Sequence, residues 1–457
     1  MISTCHLVLV CLVSLPVPVQ HTVAPGLDSG LGLPPFVWLL LTILTCLALF
    51  FKFQRIWSLR NLDLLLLFTL APGLILLASH RNAHEWWAFV WLFLGTAVWL
   101  ARCLLDLGLA RRPLLEPNLN VGGLAFFYAG LLSLILIETM IIPEQSGTER
   151  NPGDPHARSR TDDQAEPEAN ADSGQLVTSV ITRAIRSAPT LYLKRTAAAL
   201  GHLGICLGLV LIGWKHYERI TIGLAMAVAY QILPYTRIAL VDSGQLVPAA
   251  LLVLAVFEYR RPGVAGGLIG MAAGWMPAAI GLIPLWTGFY WRRGSARFLV
   301  STLAVLGSGR ALALAVPEFG FWARDLGART LGEAGLLPGS EEPAAESFWT
   351  GVDPAYRLPV LVLYLAFVVA SVWPMGKNLG QLIAMSAALL LGSQFWYLDD
   401  GGALIVLYLP MVLLLIFRPN LSAKFPDPIV QTTRKKWLPP VRPRKPRTRS
   451  LKPLNRP

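Results

Sequence analysis

The stretch GVAGGLIGMAAGWMPAAIGLIPLWTGFYW, residues 263–291, decides how the rest of the chain is read. It is apolar throughout, yet longer than the roughly 20 residues that one ordinary membrane-crossing helix needs. Pro277 and Pro284 interrupt it, and arginine pairs bound it: Arg260 and Arg261 before, Arg292 and Arg293 after. If both pairs lie on one side of a membrane, the segment enters and returns as two half-helices meeting near Trp275, Met276 and Pro277. Broken backbone at that depth is tolerated only where protein or a wet cavity surrounds it. The alternative is one kinked and tilted helix. Gly266, Gly270 and Gly274 recur every four residues, which lets a neighbouring helix approach closely under either reading.

Outward from this stretch the chain keeps the same character. Of 457 residues, 54% are hydrophobic and 14% charged, against roughly a quarter charged in a soluble domain. Apolar blocks near 34–52, 62–79, 86–108, 120–142, 196–213, 220–236, 239–258, 297–316, 358–374, 378–396 and 403–417 each have spanning length. None alternates polar and apolar residues, so helices and not a barrel follow. The expected fold class is all-α, a polytopic transmembrane helical bundle of about 11 spans plus the broken or re-entrant segment.

The net charge of +12 belongs mostly to one place, because residues 418–457 hold 12 Lys and Arg against the single acidic residue Asp427. A cytoplasmic, lipid-facing arm is therefore expected, with anionic lipids as its partner and no specific nucleic-acid recognition. Fixing that tail inside and walking backward puts Lys377, Arg297, Arg292, Arg293, Arg260, Arg261, Lys215, Arg219, Arg111, Arg112, Lys52, Arg55 and Arg60 on the same side. With the tail, that is 25 of the 39 basic residues. The walk places the acidic stretch 143–175 outside and implies a multi-pass protein of the cell (inner) membrane. Residues 1–24 read as a signal peptide or an N-terminal anchor. N-terminal spans fill 34–142, an amphipathic helix at 176–195 lies on the outer surface, and a transmembrane core fills 196–316. An aromatic and charged external loop, 317–357, precedes the last spans at 358–417. The acidic loop and the Pro-rich tail lack apolar residues to bury, so disorder is expected in both.

Ionisable residues at or inside the hydrocarbon edge are costly and mark function by default. Asp63, Arg102, Asp106, Glu138, Arg237, Asp242, Glu258, Arg310, Asp399 and Asp400 are such residues, although Glu258 has Arg260 beside it and Arg102 and Asp106 are spaced to pair on one helix face. In YTRIALVDSGQL (235–246), Arg237, Asp242 and Gln245 bring a cation, a carboxylate and an amide to one boundary, a set able to hold a phosphate or sugar. In WYLDDGG (396–402), Trp396 could stack on a sugar ring while Asp399 and Asp400 bond its hydroxyls; the plainer reading is an interfacial anchor and a capping turn. His80 and His84 are four residues apart with no third ligand nearby, so no metal site is expected, and the five scattered cysteines suggest neither disulfides nor zinc. No phosphate-cradling loop, nucleophile elbow or cofactor motif is present.

Residues 242–301, DSGQLVPAALLVLAVFEYRRPGVAGGLIGMAAGWMPAAIGLIPLWTGFYWRRGSARFLVS, resemble the GT-C class of multi-spanning glycosyltransferases, in particular the bacterial family of polyprenyl-phosphomannose-dependent mannosyltransferases. The Gly-Gln start, basic loop, glycine-spaced helix, Pro-broken turn and second basic loop follow that family in order. GSQFWYLDDGGALIVLYLPMVLLL (392–415) is similar, more weakly, to its final segment. These two stretches make up less than a fifth of the chain. It implies transfer of a sugar from a polyprenyl-phosphate donor to an envelope or lipid acceptor on the outer face, with an external acid as general base. Asp154, Asp162 and Asp163 are the loop carboxylates that match this role in kind. Trp275 stands where the family usually has a lysine, and Ser393-Gln394 replaces its Ser-Pro. These departures keep a second reading open, a non-enzymatic transporter or assembly factor in which charges such as Glu138 and Arg310 would line a helical path.

Overall fold

The computed structural model describes residues 35–52, 56–79, 85–108, 115–141, 173–332, 348–349, 352–398, 401–419, 421 and 424–426, with the side chains of Pro35, Phe36, Trp38, Ala78, Ser79, Glu85, Pro354 and 173–190 excepted. Every regular element among these residues is helical, as expected. In chain order they are α1 Pro35–Phe50, α2 Leu59–Leu66, α3 Ala71–Ser79, α4 Glu85–Leu105, α5 Val121–Ile141, α6 Ser173–Lys215, α7 Ile220–Ile232, α8 Pro234–Ile238, α9 Ser243–Phe257, α10 Pro262–Trp275, α11 Leu282–Phe289, α12 Ser295–Ala315, α13 Pro317–Asp325, α14 Pro354–Ala370, α15 Leu379–Ser393 and α16 Ile405–Phe417. Residues 1–24, 143–172 of the acidic loop, His80 and His84, and the tail beyond Pro426 lie outside the described residues, while 173–175 begin α6.

Five stretches are long and apolar enough to cross a membrane: Leu59–Leu77, Trp86–Gly108, Val121–Ile141, Leu191–Lys215 and Ser295–Ala315. The other expected spans are shorter apolar helices. Packing explains the division. The helices α7, α9, α15 and α16 have 13 to 15 residues, about 20–22 Å at 1.5 Å per residue. They are apolar on all sides and buried over nearly their whole length, the pattern of helices enclosed by others. The 21-residue helices α5 and α12 are mostly exposed and form the periphery.

Prolines set several of the breaks. Leu233, Met276, Val316 and Asp353 each precede a proline and each leaves the helical region, with ψ of 141°, 112°, 90° and 127°. The proline ring disfavours the α conformation for its predecessor, which ends or begins a helix at these four positions, although Pro248, Pro359 and Pro410 are carried inside helices. Pro72 likewise separates α2 from α3 within one apolar stretch. The carbonyls of Leu66, Leu67 and Thr69 at that break accept hydrogen bonds from Trp99 Nε1 (3.1 Å), the Tyr235 hydroxyl (2.5 Å) and Trp91 Nε1 (2.6 Å).

The 263–291 stretch enters and returns. Gly266 and Gly270 of α10 pack on the carbonyls of Phe298 and Thr302 of α12, and Gly274 packs near Leu306. The two helices therefore run in the same direction with their starts together. Gly294 touches Pro262, and the Tyr290 hydroxyl donates to the Tyr259 carbonyl at 2.6 Å. The arginine pairs at 260–261 and 292–293 consequently share one end, which excludes a single tilted helix. The tip is Met276, extended between α10 and the 3-10 turn Pro277–Gly281.

One expectation fails. The 176–195 segment is not a separate surface helix, because α6 runs without a break over 43 residues, about 65 Å. Pro189 lies inside the helix and does not divide it. A span of about 30 Å accounts for Leu191–Lys215, and the remaining turns extend past it.

The helix termini sort into two ends. At one, which we term the basic end, His216 bonds the Phe257 carbonyl, Arg219 pairs with Glu116, Lys424 with Glu218, Arg293 donates to the Pro426 carbonyl, and Lys377 caps Val372 and Pro374. A buried charge network also lies here. Arg102 grips Asp63 through Nε (2.5 Å) and Nη2 (2.7 Å) and reaches Asp106 at 3.1 Å, while Arg418 completes the set by binding the other Asp106 oxygen. Buried charges persist only when paired in this way. The expected Arg102 and Asp106 pairing is present; Glu258 instead pairs with Arg261 at 3.4 Å.

Candidate functional site

Of the polar residues singled out by sequence, Glu138, Arg237, Asp242, Gln245 and Trp396 lie at the end opposite the basic one. Asp242 begins α9, and its Oδ1 accepts the Gln245 amide N–H at 3.3 Å. Its Oδ2 accepts the Gln245 side-chain Nε2 at 2.8 Å. The Gln245 carbonyl oxygen in turn accepts the Val406 N–H at 3.2 Å. First-turn amides of a helix have no partner within it, and Leu404 offers α16 no side-chain cap. Gln245 therefore supplies from α9 the cap that α16 lacks. Asp242 and Gln245 are brought together, and together they stitch 235–246 to the segment following WYLDDGG.

Arg237 takes a different partner. Its guanidinium donates to Glu138 Oε1 of α5 at 2.6 Å, each side chain about one-fifth exposed. The second Glu138 oxygen is buried without a partner among the described residues. Nearby, Arg195 of α6 donates to the Met140 carbonyl at 2.8 Å. Neither Glu138 nor Arg195 is in sequence reach of Arg237; an acid at the end of an apolar span, needing a cation from elsewhere, was the signal available for Glu138.

Trp396 is 2% exposed. Its ring lies against Tyr364 of α14 and Tyr397, with centroids 5.3 and 5.5 Å away. It offers no free face for a sugar to stack on, which corrects that part of the expectation; Asp399 and Asp400 beside it, like Asp154, Asp162 and Asp163, lie outside the described residues. The cause is the return of the chain after α15, which tucks FWY (395–397) inward between α14 and the hairpin tip. There the Tyr397 hydroxyl donates to Met276 Sδ at 3.2 Å.

The loop following α12 crosses this end. Ser243 donates to the Leu326 carbonyl at 2.6 Å, and Gly244 and Gly327 meet backbone to backbone, where a Cβ on either would come within 3 Å of the other. Arg329 N–H donates to the Trp275 carbonyl at 2.8 Å, which ties the loop to the hairpin tip. Further along, Trp349 Nε1 donates to Phe395 O at 3.1 Å and Arg357 Nε to Trp396 O at 2.8 Å. Sequence reading gave this loop its aromatic and charged character but not these partners, because each bond is to a backbone carbonyl that any residue could supply.

Three buried aromatic groups at this end lack partners among the described residues: Trp275 Nε1, the Tyr364 hydroxyl and Trp396 Nε1. Buried tryptophan and tyrosine polar atoms ordinarily find one. All three can donate, so each lacks a hydrogen-bond acceptor. Among the described residues no three His, Cys, Asp or Glu side chains are grouped as metal ligands would be. The chain matches no family model, no curated protein and no solved structure.

Proposed function

We propose that the chain is a multi-pass membrane protein of the GT-C kind that transfers a sugar, mannose by its family resemblance, from a polyprenyl-phosphate donor to an envelope or lipid acceptor. In this reading it sits in the cell membrane with the basic end and C-terminus in the cytoplasm, and the donor headgroup binds at the opposite, outer end. The observation that carries it is the set of unpartnered donors on Trp275, Tyr364 and Trp396, lying at the end where 235–246, the hairpin tip and 317–357 converge. Phosphate and sugar oxygens are acceptors of the kind such donors need. Arg237 supplies a cation at the same end.

Two observations weigh against the transporter or assembly-factor reading. Glu138 is paired with Arg237, and Arg310 stands half-buried on the mostly exposed helix α12. A chain of charges through the bundle is therefore not what these residues form.

The test uses Tyr364→Phe. Deleting a hydroxyl that has no partner removes a desolvation cost and should leave the protein as stable as before or more so. If that hydroxyl serves a donor lipid, the variant should retain about tenfold less of it. Native mass spectrometry of protein extracted from its own membrane should find a polyprenyl-phosphate sugar on the wild type and much less on Tyr364→Phe. Absence of any such lipid from the wild type, or equal retention by the variant, would refute the assignment.

A further inference from the structure

The return of the hairpin has a second product at the basic end. Because Pro262 touches Gly294 and Tyr290 bonds Tyr259, five arginines distant by up to 37 positions are brought to one mouth: Arg260, Arg261, Arg292, Arg293 and Arg297. Arg261 is matched by Glu258, and Arg293 is occupied with the Pro426 carbonyl and the Phe425 ring. Arg292 and Arg297 are exposed and have no hydrogen-bond or ion-pair partner among the described residues. Arg292 is further held at a φ of 61°, a left-handed conformation that a non-glycine residue seldom adopts.

The surface beside these arginines is apolar. Trp291 next to Arg292 is exposed, and Leu299, Val300 and Leu303 lie exposed along the first turns of α12 beyond Arg297. Positive charge at the mouth meets an open apolar helix face directly. Lys215, Arg260 and Lys424 also surround His216, whose imidazole is held below its ordinary value first by burial and then by these three cations. The helices α10 and α12 both start here without side-chain caps, so their positive ends add to the same field.

We propose that Arg292 and Arg297, with Arg260, form a headgroup site for a doubly anionic phospholipid of the cardiolipin type, whose acyl chains lie along the exposed face of α12. Guanidinium groups grip phosphate oxygens in a fork, and two unpartnered arginines match two phosphates. Basic clusters where helices meet the membrane surface are the chemistry that selects such lipids. A nucleic acid or soluble protein would leave the adjoining apolar strip uncovered. This inference rests on the membrane part of the reading above and not on sugar transfer, so loss of the donor assignment leaves it standing.

The experiment is native mass spectrometry of the full-length protein in detergent, titrated with tetraoleoyl cardiolipin, phosphatidylglycerol and phosphatidylcholine. Cardiolipin should be retained preferentially, and R292Q/R297Q should weaken it about tenfold or more, while R310Q on the same helix leaves it unchanged. Should R292Q/R297Q fail to insert, R292K/R297K keeps the charge without the fork and should give an intermediate loss. Equal retention of phosphatidylcholine, equal binding by the glutamine or lysine variants, or displacement of the lipid by millimolar inorganic phosphate would overturn the proposal, the last by marking a free-phosphate site.

Discussion

Asp242 and Gln245 show how a pair of polar residues can belong to the scaffold of a site without touching what binds there. Every polar atom of Gln245's side chain is engaged, Nε2 with Asp242 and Oε1 with Val406. Replacing Asp242 with alanine removes a helix cap, worth about 1 kcal/mol. Gln245→Ala strands a buried N–H on α16 as well as a carboxylate oxygen, a loss of about 1–3 kcal/mol. Since both act through one network, the double variant should lose less than the sum of the two. Thermal melts in detergent test this. Strict additivity, or melts unchanged by either substitution, would return the pair to a ligand-binding role. Arg237 teaches the complementary lesson: five positions before Asp242, it is bonded to Glu138, 99 positions away.

Among the elements, the hairpin of α10 and α11 depends on close contact with α12. A Cβ at Gly266 or Gly270 would stand 2.4 and 2.6 Å from the carbonyl oxygens of Phe298 and Thr302. Backbone cannot yield as a side chain can, so Gly270→Ala should push the helices apart and lower the melting point, despite alanine's better helix propensity. Gly263→Ala on the same helix meets nothing within 4 Å and should be neutral or stabilising. Equal melting points for the two variants would mean that this packing contributes little. The every-fourth-residue glycine spacing made the contact foreseeable. Its partner was not, because the spacing marks a thin helix face without saying which helix lies on it.

For the whole molecule, the separation of a basic end from an opposite end of mixed charge is the feature that orients everything else. Single cysteines placed at 261, 292 and 424 should react with a membrane-impermeant maleimide from one side of sealed vesicles, and a cysteine at 324 from the other. Labelling of 261 and 292 from opposite sides would make the 263–291 stretch a simple crossing and dismantle the hairpin. The four-residue charge network at the basic end closes the molecule by joining α2 and α4 to the chain leaving α16, through Arg418 and Asp106, 312 positions apart.

What the sequence determined by itself is what depends on short range. Helix over strand follows from unbroken apolar blocks. The break near 276 follows from the proline after it, within an apolar stretch too long for one crossing. The shared end of the two arginine pairs does not, since a kinked and tilted helix fits the same sequence and only the packing of α10 on α12 decides it. What only the tertiary structure decided is which side chains meet. Trp396 turned inward against Tyr364, Arg237 crossed to Glu138, and α6 continued through the expected boundary at 195. The reason is physical: backbone preference and apolar length are properties of neighbouring residues, whereas burial and charge pairing are settled by the faces that helices present to one another. In a chain apolar on nearly every face, the hydrophobic pattern that would reveal those faces in a soluble protein is missing.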